Sequence, residues 1–503
     1  MKIIKSATLQ TIETKSVDVE VTFTNGLPSF TIVGLASNII QESKDRVKSA
    51  LLTNDFKFPA KKITINLSPS EIQKSGTHFD LAIALLIALY ETKVNFEGFY
   101  VFGELSLDGK IKDCSSIFPL VLSLAKQNLL KNVIVCSASA KKISKIPNIN
   151  IYSLDTLSQA IDFFKFNSKE KYLYQNESFD YESVKIDDSI YYYLNKYEVD
   201  FSEVKGQDFA INAALIAAAG NHNILFEGSA GCGKSMISKR LRYILPPMSL
   251  EEILEKAKLQ AIDYKDIDFS PLRVFRNPHH SSTKSSLFGG GSGNSARIGE
   301  VALSNAGVLF FDEFPHFSKS SLEALREPLE DYKVLISRVN SKVIYDTKFL
   351  FIAAMNPCPC GNLLSKVKEC RCSELEVQRY KNRLSEPLLD RIDLYVTMQE
   401  PSINDKTKYS SKQLHKKVID AFILQKKRKQ TNLNGKLSDK QINKFCKLDG
   451  ESEIILQKAI SNFNLSFRSI NKVLKVARTI ADLNANENIT KQDLMQSLSY
   501  RKR

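Results

Sequence analysis

Gly228-Ser229-Ala230-Gly231-Cys232-Gly233-Lys234-Ser235 follows the apolar run NILFE at 223–227 and leads into MISKRLRYIL. The spacing is G-x-x-x-x-G-K-S between a strand and a helix, the context in which it forms a phosphate loop. The glycines let backbone N–H groups turn onto phosphate oxygens, and the helix N-terminus adds its positive dipole. Lys234 is expected to reach the β- and γ-phosphates, and the Ser235 hydroxyl to ligate Mg²⁺. The whole stretch, Gly228, Ser229, Ala230, Gly231, Cys232, Gly233, Lys234 and Ser235, is thus a candidate ATP cradle.

Working outward, GVLFFDE at 307–313 is a buried strand with two carboxylates at its C-terminal end, where ligands of open sheets bind. Asp312 is expected in the Mg²⁺ shell, and Glu313 to orient the attacking water. The strand FLFIAAMN ends on Asn356, whose amide can hold that water against the γ-phosphate. Arg391, in LLDRIDL, and Arg468, in LSFRSINKVLKVAR, offer the extra positive charge that phosphoryl transfer needs. Continuous apolar strands at 223–227, 307–311 and 349–353 between helical stretches predict an α/β domain with a parallel sheet covered on both faces.

The 503 residues suggest more than one domain. With 43 % apolar and 25 % charged residues, the composition is that of a folded protein. No apolar run reaches the length of a membrane span, and MKIIKSATLQTIETK has no signal-peptide h-region, so a cytoplasmic protein without a membrane partner is expected. Seventy basic against 56 acidic side chains leave a net charge of +14, which favours polyanionic partners such as DNA.

Four regions are expected: an α+β domain at 1–170, a polar, tyrosine-rich linker at 171–202 with at most one short helix, the ATPase core at 203–400, and a helical lid at 401–503. In the first, 62–67 alternates as a half-buried strand, 79–90 reads as a buried helix, and Asp108-Gly109 marks a hairpin turn. In the last, Thr490 with Asp493 predicts a capping box. Lys416, Lys417, Lys426, Lys427, Arg428 and Lys429 read as a solvated lid face.

The core carries insertions. From Lys234 to Asp312 is 312 − 234 = 78 positions, including a loop with Gly289, Gly290, Gly291 and Gly293 flanked by Lys284 and Arg297. His279 and His280 precede it, with hydrogen bonding and metal ligation both open. The segment 333–351 reads as a hairpin around Asn340-Ser341, with Arg338 and Lys342 near its tip. Lys284, Arg297, Arg338 and Lys342 are therefore candidate DNA contacts. Cys358, Cys360, Cys370 and Cys372 form C-x-C, nine residues, C-x-C; four thiolates so spaced suit structural Zn²⁺.

The order of phosphate loop, DE pair, strand-end Asn, LLDR and FR resembles an AAA+ ATPase. More narrowly, VGLASNIIQESKDRVKSAL, SGTHFDLAIAL, VKGQDFA, FRNPHHSSTKSSLFGGG, GEVALSNAGVLFFDEFPHF, LEALREPLED, NPCPCG, LLDRID and VARTIADL resemble the magnesium-chelatase-like family called YifB or ComM. The resemblance implies a homo-hexameric ATPase, a helicase-like motor driving branch migration of DNA in natural transformation, alongside recombination proteins. It makes Lys234 and Ser235 Walker A, Asp312 and Glu313 Walker B, and Asn356 sensor 1. Arg391 becomes the arginine finger for the next subunit and Arg468 sensor 2, with Arg326 in reserve as a second trans-acting arginine. The glycine loop becomes a pore-facing helix-2 insert. The first region resembles the ribosomal S5-like domain of the Lon protease. His78 and Leu120 stand where that enzyme's serine and lysine belong, so a scaffold or DNA-engaging module is expected instead of a protease. A magnesium-chelatase motor subunit and an ATP-driven protein remodeller are the alternatives.

Overall fold

The computed structural model describes residues 2–10, 12–166, 168–290, 297–337, 342–402, 404–463 and 465–501. It divides into two units, Met1–Asp180 with Ala257–Phe269, and Tyr181–Lys256 with Ser270–Arg503.

The first unit is built on an eight-stranded mixed sheet. Lys2–Gln10 and Glu13–Thr24 pair antiparallel, and Lys62–Ser68 continues that pairing. On the other side of Lys2–Gln10, Phe99–Val101, Asn132–Val135 and Asn150–Ser153 run parallel. Ile63, Ile65 and Leu67 are buried and their neighbours are not, as the alternation requires. The apolar stretch at 79–90 forms a 3₁₀ turn, Thr77–Phe79, and the helix Asp80–Ala88, in which every residue from Asp80 to Ile87 is buried. Asp80 is satisfied there by Arg46 Nε at 2.7 Å. Gly109, at φ 85°, turns the chain between Glu104–Leu105 and Ile111–Lys112.

The second unit contains a five-stranded sheet, all parallel, in the spatial order Phe275–Arg276, Val308–Phe311, Leu350–Met355, Ile224–Gly228, Leu394–Met398. The chain is thus a mixed α/β protein with a parallel sheet, the arrangement that the resemblance to an AAA+ ATPase leads one to expect. The first strand in sequence lies between the fourth and fifth, so the chain leaves it at a switch point, where a crevice opens at the C-terminal edge. Asp208–Gly220 and Lys234–Leu241 cover the sheet, and helices Ser411–Lys427, Asp439–Phe445, Gly450–Phe463, Phe467–Leu483 and Lys491–Ser499 follow. Thr490 and Asp493 cap the last one reciprocally, as their spacing predicts. Among the described residues, no helix is long and apolar enough to cross a membrane.

Two local expectations are corrected. The polar stretch after residue 180 carries a hairpin, Glu182–Ile186 with Ser189–Tyr193, extended by Met248–Ser249. Tyrosines hide its pattern: Tyr191 packs its ring edge-on against Phe422 at 5.1 Å, and Tyr193 against His415 at 5.6 Å, while their hydroxyls keep the segment polar in composition. The basic lid face is also only partly solvated. Lys426 lies over Tyr191 and Phe422, and Arg428 Nη2 donates to Asp482 Oδ2 at 2.6 Å.

Candidate nucleotide site and cysteine cluster

The phosphate-loop residues join the end of Ile224–Gly228 to the start of Lys234–Leu241. Gly231 and Gly233 have φ of 82° and 96°, where a side chain is strained. Gly228 has no such φ; a Cβ there would lie 2.7 Å from Cys232 Sγ and 2.9 Å from Met398 O. Cys232 is buried beneath the turn, as a small apolar filler. Lys234 Nζ donates to Gly228 O at 2.6 Å, Ser229 O at 2.8 Å and Asn356 Oδ1 at 3.2 Å. The ammonium therefore already bridges the loop and the end of Leu350–Met355.

Ser235 Oγ donates to Asp312 Oδ2 at 2.8 Å. Adjacent oxygens in an octahedral Mg²⁺ shell lie about 2.9 Å apart, given Mg–O bonds of about 2.05 Å, so this pair fits such an ion. Glu313 adopts φ 51°, ψ 45°, and its N–H donates to Asp312 Oδ1 at 3.0 Å. Its carboxylate is half exposed, with Oε2 3.2 Å from His280 Nδ1. The His280 ring lies 4.2 Å from that of His279, whose Nδ1 meets Ser281 Oγ at 2.8 Å. Both histidines are thus in hydrogen-bonding or ionic contacts. The pairing of His280 with Glu313 was not legible beforehand, because a His–His dipeptide carries no signal for a partner 33 residues on.

Arg391 and Arg468 are brought to each other instead of to the phosphate loop. Both guanidinium groups meet Glu330: Arg391 Nη2 on Oε2, and Arg468 Nη2 on Oε1 at 2.6 Å. Arg468 Nε also faces Asp390 Oδ2 at 3.4 Å. Arg326 pairs with Glu323 at 3.0 Å. Glu330 escaped the sequence reading because its two partners lie 61 and 138 positions away.

Cys358, Cys360, Cys370 and Cys372 place their sulfur atoms within 4.8 Å of one another. The Sγ separations are 3.4 Å for Cys358–Cys360, 3.7 Å for Cys358–Cys370 and 3.6 Å for Cys360–Cys370. A tetrahedron with Zn–S bonds of about 2.3 Å has edges of about 3.8 Å, so the donor set fits Zn²⁺ in chemistry and spacing. Backbone N–H groups of Asn362 and Arg371 hold the Cys360 thiol down at about 6. Cys370 and Cys372 are each lowered by a backbone hydrogen bond but pushed up on balance by burial and the neighbouring Cys358 and Cys360 sulfurs, so a bound cation would be what makes all four thiolates.

Lys284 opens the short helix Lys284–Phe288, capped by Thr283, and Arg297 lies on Arg297–Ile298, paired to Gly289–Gly290; both side chains are exposed. Gly291 and Gly293 lie outside the described residues. Lys333–Ser337 and Lys342–Asp346 form the expected hairpin, with Ser337 opposite Lys342. Arg338, with Asn340 and Ser341, lies outside the described residues.

Three family models match: "Subunit ChlI of Mg-chelatase" over 19–139, "Magnesium chelatase, subunit ChlI" over 200–406, and "Magnesium chelatase, subunit ChlI C-terminal" over 408–501. The competence protein ComM of Haemophilus influenzae is 35 % identical over 514 residues, covering 100 % of this chain and 97 % of its own. The protein YifB of Salmonella typhimurium is 36 % identical over 498 residues, covering 96 % and 94 %. A Mycobacterium tuberculosis protein is 30 % identical, covering 99 % and 97 %. The chain belongs to the magnesium-chelatase-like family of ComM and YifB. Membership implies an AAA+ ATPase with ATP and Mg²⁺ as its substrate and ion. Lys234, Asp312, Glu313, Asn356, Arg391 and the four cysteines all fall in the 200–406 match, and Arg468 in the 408–501 match.

Proposed function

We propose that this chain is the subunit of a homo-hexameric, ATP-driven DNA motor, a helicase-like enzyme that moves branched recombination intermediates during natural transformation. The observation that carries the reading is the convergence of Lys234, Ser235, Asp312 and Asn356 on one loop at the switch point of the sheet. The phosphates of ATP lie along the N–H groups of 228–235, with Lys234 moving from its loop carbonyls to the β- and γ-oxygens. Ser235 and Asp312 would hold Mg²⁺, which would supply positive charge against the charge that develops on the phosphates during transfer. Glu313 takes the proton of the attacking water, and Asn356 orients that water from the neighbouring strand end. Arg391, from an adjoining subunit, and Arg468 supply the remaining positive charge. The assignment of the competence-related role follows the name of the ComM relative.

Lys284, Arg297, Arg338 and Lys342 contact the DNA backbone, and the net charge of +14 adds a long-range attraction. Zn²⁺ on the four cysteines stiffens the exit from the Asn356 strand. We retain the functional division into 1–170, 171–202, 203–400 and 401–503, with the hairpin Glu182–Ile186 and Ser189–Tyr193 inside the connecting segment, and assign the first region the S5-like fold of the Lon family without its chemistry. His78 is fully buried, with Nε2 on Ala7 O at 2.8 Å, where a nucleophilic serine would have to face substrate. We place the motor in the cytoplasm with recombination proteins as partners. The test is ATP turnover with single-stranded, duplex and four-way-junction DNA, followed by a junction-movement assay. DNA-stimulated turnover with movement is expected; turnover indifferent to DNA would return the reading to a chelatase motor or a protein remodeller.

A further inference from the structure

Arg391 is the side chain that the mechanism above lends to an adjoining subunit, yet it is only 9 % exposed. Its Nη1 donates to Pro387 O and its Nη2 to Glu330, while Nε is buried with no hydrogen-bond partner among the described residues. The pair forms part of the wall of a cavity of about 560 Å³ that Lys284, Arg326, Val334 and Leu335 also line. Glu330 does not depend on Arg391 alone. Its other oxygen accepts from Arg468, which is itself braced on Asp390, and Lys472 Nζ reaches Asp390 at 3.4 Å.

We propose that Glu330 is a positioning residue: a carboxylate latch that stows Arg391 and yields it to the terminal phosphate of a nucleotide on a second copy of this chain. A guanidinium fork accepts carboxylate and phosphate in the same planar geometry, so the phosphate can take the place of Glu330. When Arg391 leaves, Glu330 stays paired with Arg468, so no carboxylate is stranded. The buried Nε gains a partner in the same movement. The cost of release is the charge-assisted bond to Glu330 together with the bond to Pro387 O, and it is part of the barrier to turnover.

This inference rests on Arg391 acting in trans, and the experiment separates the two claims. Steady-state ATP turnover is measured on the full chain without DNA for wild type, Glu330→Gln, Glu330→Asp, Arg391→Ala and Glu330→Gln/Arg391→Ala. Weakening the latch should raise kcat for Glu330→Gln about three- to tenfold. KM for ATP should stay near wild type, because the phosphate loop binds the ground state. Glu330→Asp, which keeps the charge, should fall between them, and the double variant should match Arg391→Ala. A Glu330→Gln kcat that drops toward Arg391→Ala would overturn the latch, as would a rise that survives in the double variant. Mixing Arg391→Ala with Glu313→Gln subunits tests the premise. Restored turnover supports action in trans, so that a failed latch then stands alone; no restoration removes both.

Discussion

Replacing His78 by Gln should flatten the acid sensitivity of the first unit. The imidazole is fully buried and lies 4.5 Å from the ring of Phe79. Because Ala7 O can only accept, Nε2 carries the proton and donates to it at 2.8 Å. Nδ1 is then the free acceptor, facing the Ser116 hydroxyl at 3.2 Å. The ring is neutral, and burial lowers its pKa from 6.5 to about 4. The folded value lies below the unfolded one, so the unfolded chain takes up the proton first as pH falls. The stability contributed by the neutral ring is therefore complete above pH 6.5 and is lost between 6.5 and about 4. The full loss is on the order of 3 kcal/mol, from the shift of 6.5 to about 4 at about 1.4 kcal/mol per pH unit. Since the chain has no tryptophan, and His415 in the second unit is also held down at about 4, a global optical melt would mix two events. Hydrogen exchange resolved by segment isolates the first unit, read at Lys2–Gln10 and Ile117–Lys126 and corrected for intrinsic rates. Gln at 78 stays neutral, so protection there should fall less steeply from pH 6.5 to 4 than in wild type. Equal slopes would refute the assignment of a buried neutral imidazole.

Lys234→Ala should abolish ATP turnover, since no other ammonium contacts both the loop carbonyls and Asn356 among the described residues; turnover within a few fold of wild type would remove the nucleotide site. Metal analysis should return about one zinc per chain, falling toward zero in Cys360→Ser, and stable metal-free protein would end the zinc proposal. DNA affinity should fall steeply with salt, and Lys284→Gln or Arg297→Gln should each reduce the log–log slope by about 0.7–0.9; a slope unchanged in both would take DNA off that insert.

The phosphate half of the site was legible because it is local. Eight consecutive residues make the proposed cradle, and a strand end carries each further candidate group, Asp312 and Glu313 after Val308–Phe311 and Asn356 after Leu350–Met355. The cysteines were legible for the same reason, as two C-x-C pairs need only one loop to close. The strand order was not, because each strand is a short apolar run that would fit any position of a parallel sheet. The hairpin at 182–193 was lost to its tyrosines, whose hydroxyls read as polar while their rings pack on Phe422 and His415. The arginine half was half-read: Arg391 and Arg468 stood out, but their common partner came from a third segment.

That third segment joins the two halves. Glu330 ends the helix Arg326–Glu330, and Lys333–Ser337 starts three residues later as the first strand of the hairpin proposed to grip DNA. Thr347, just past the returning strand, is tied back to this helix by its hydroxyl on Pro328 O at 3.3 Å. A displacement of the hairpin by a bound strand would, in the proposed mechanism, reach Glu330 through this short, anchored connection. In the proposed mechanism, DNA engagement and release of Arg391 are then one event, and stimulation by DNA is largely the opening of the latch. Glu330→Gln, with the latch already weakened, should show higher turnover without DNA and a smaller ratio of stimulated to basal turnover than wild type. Arg391→Ala should lose the stimulation altogether. If Glu330→Gln keeps the wild-type ratio, DNA acts on the ATPase by another route, and the hairpin and the arginines are neighbours in the chain without being coupled in function.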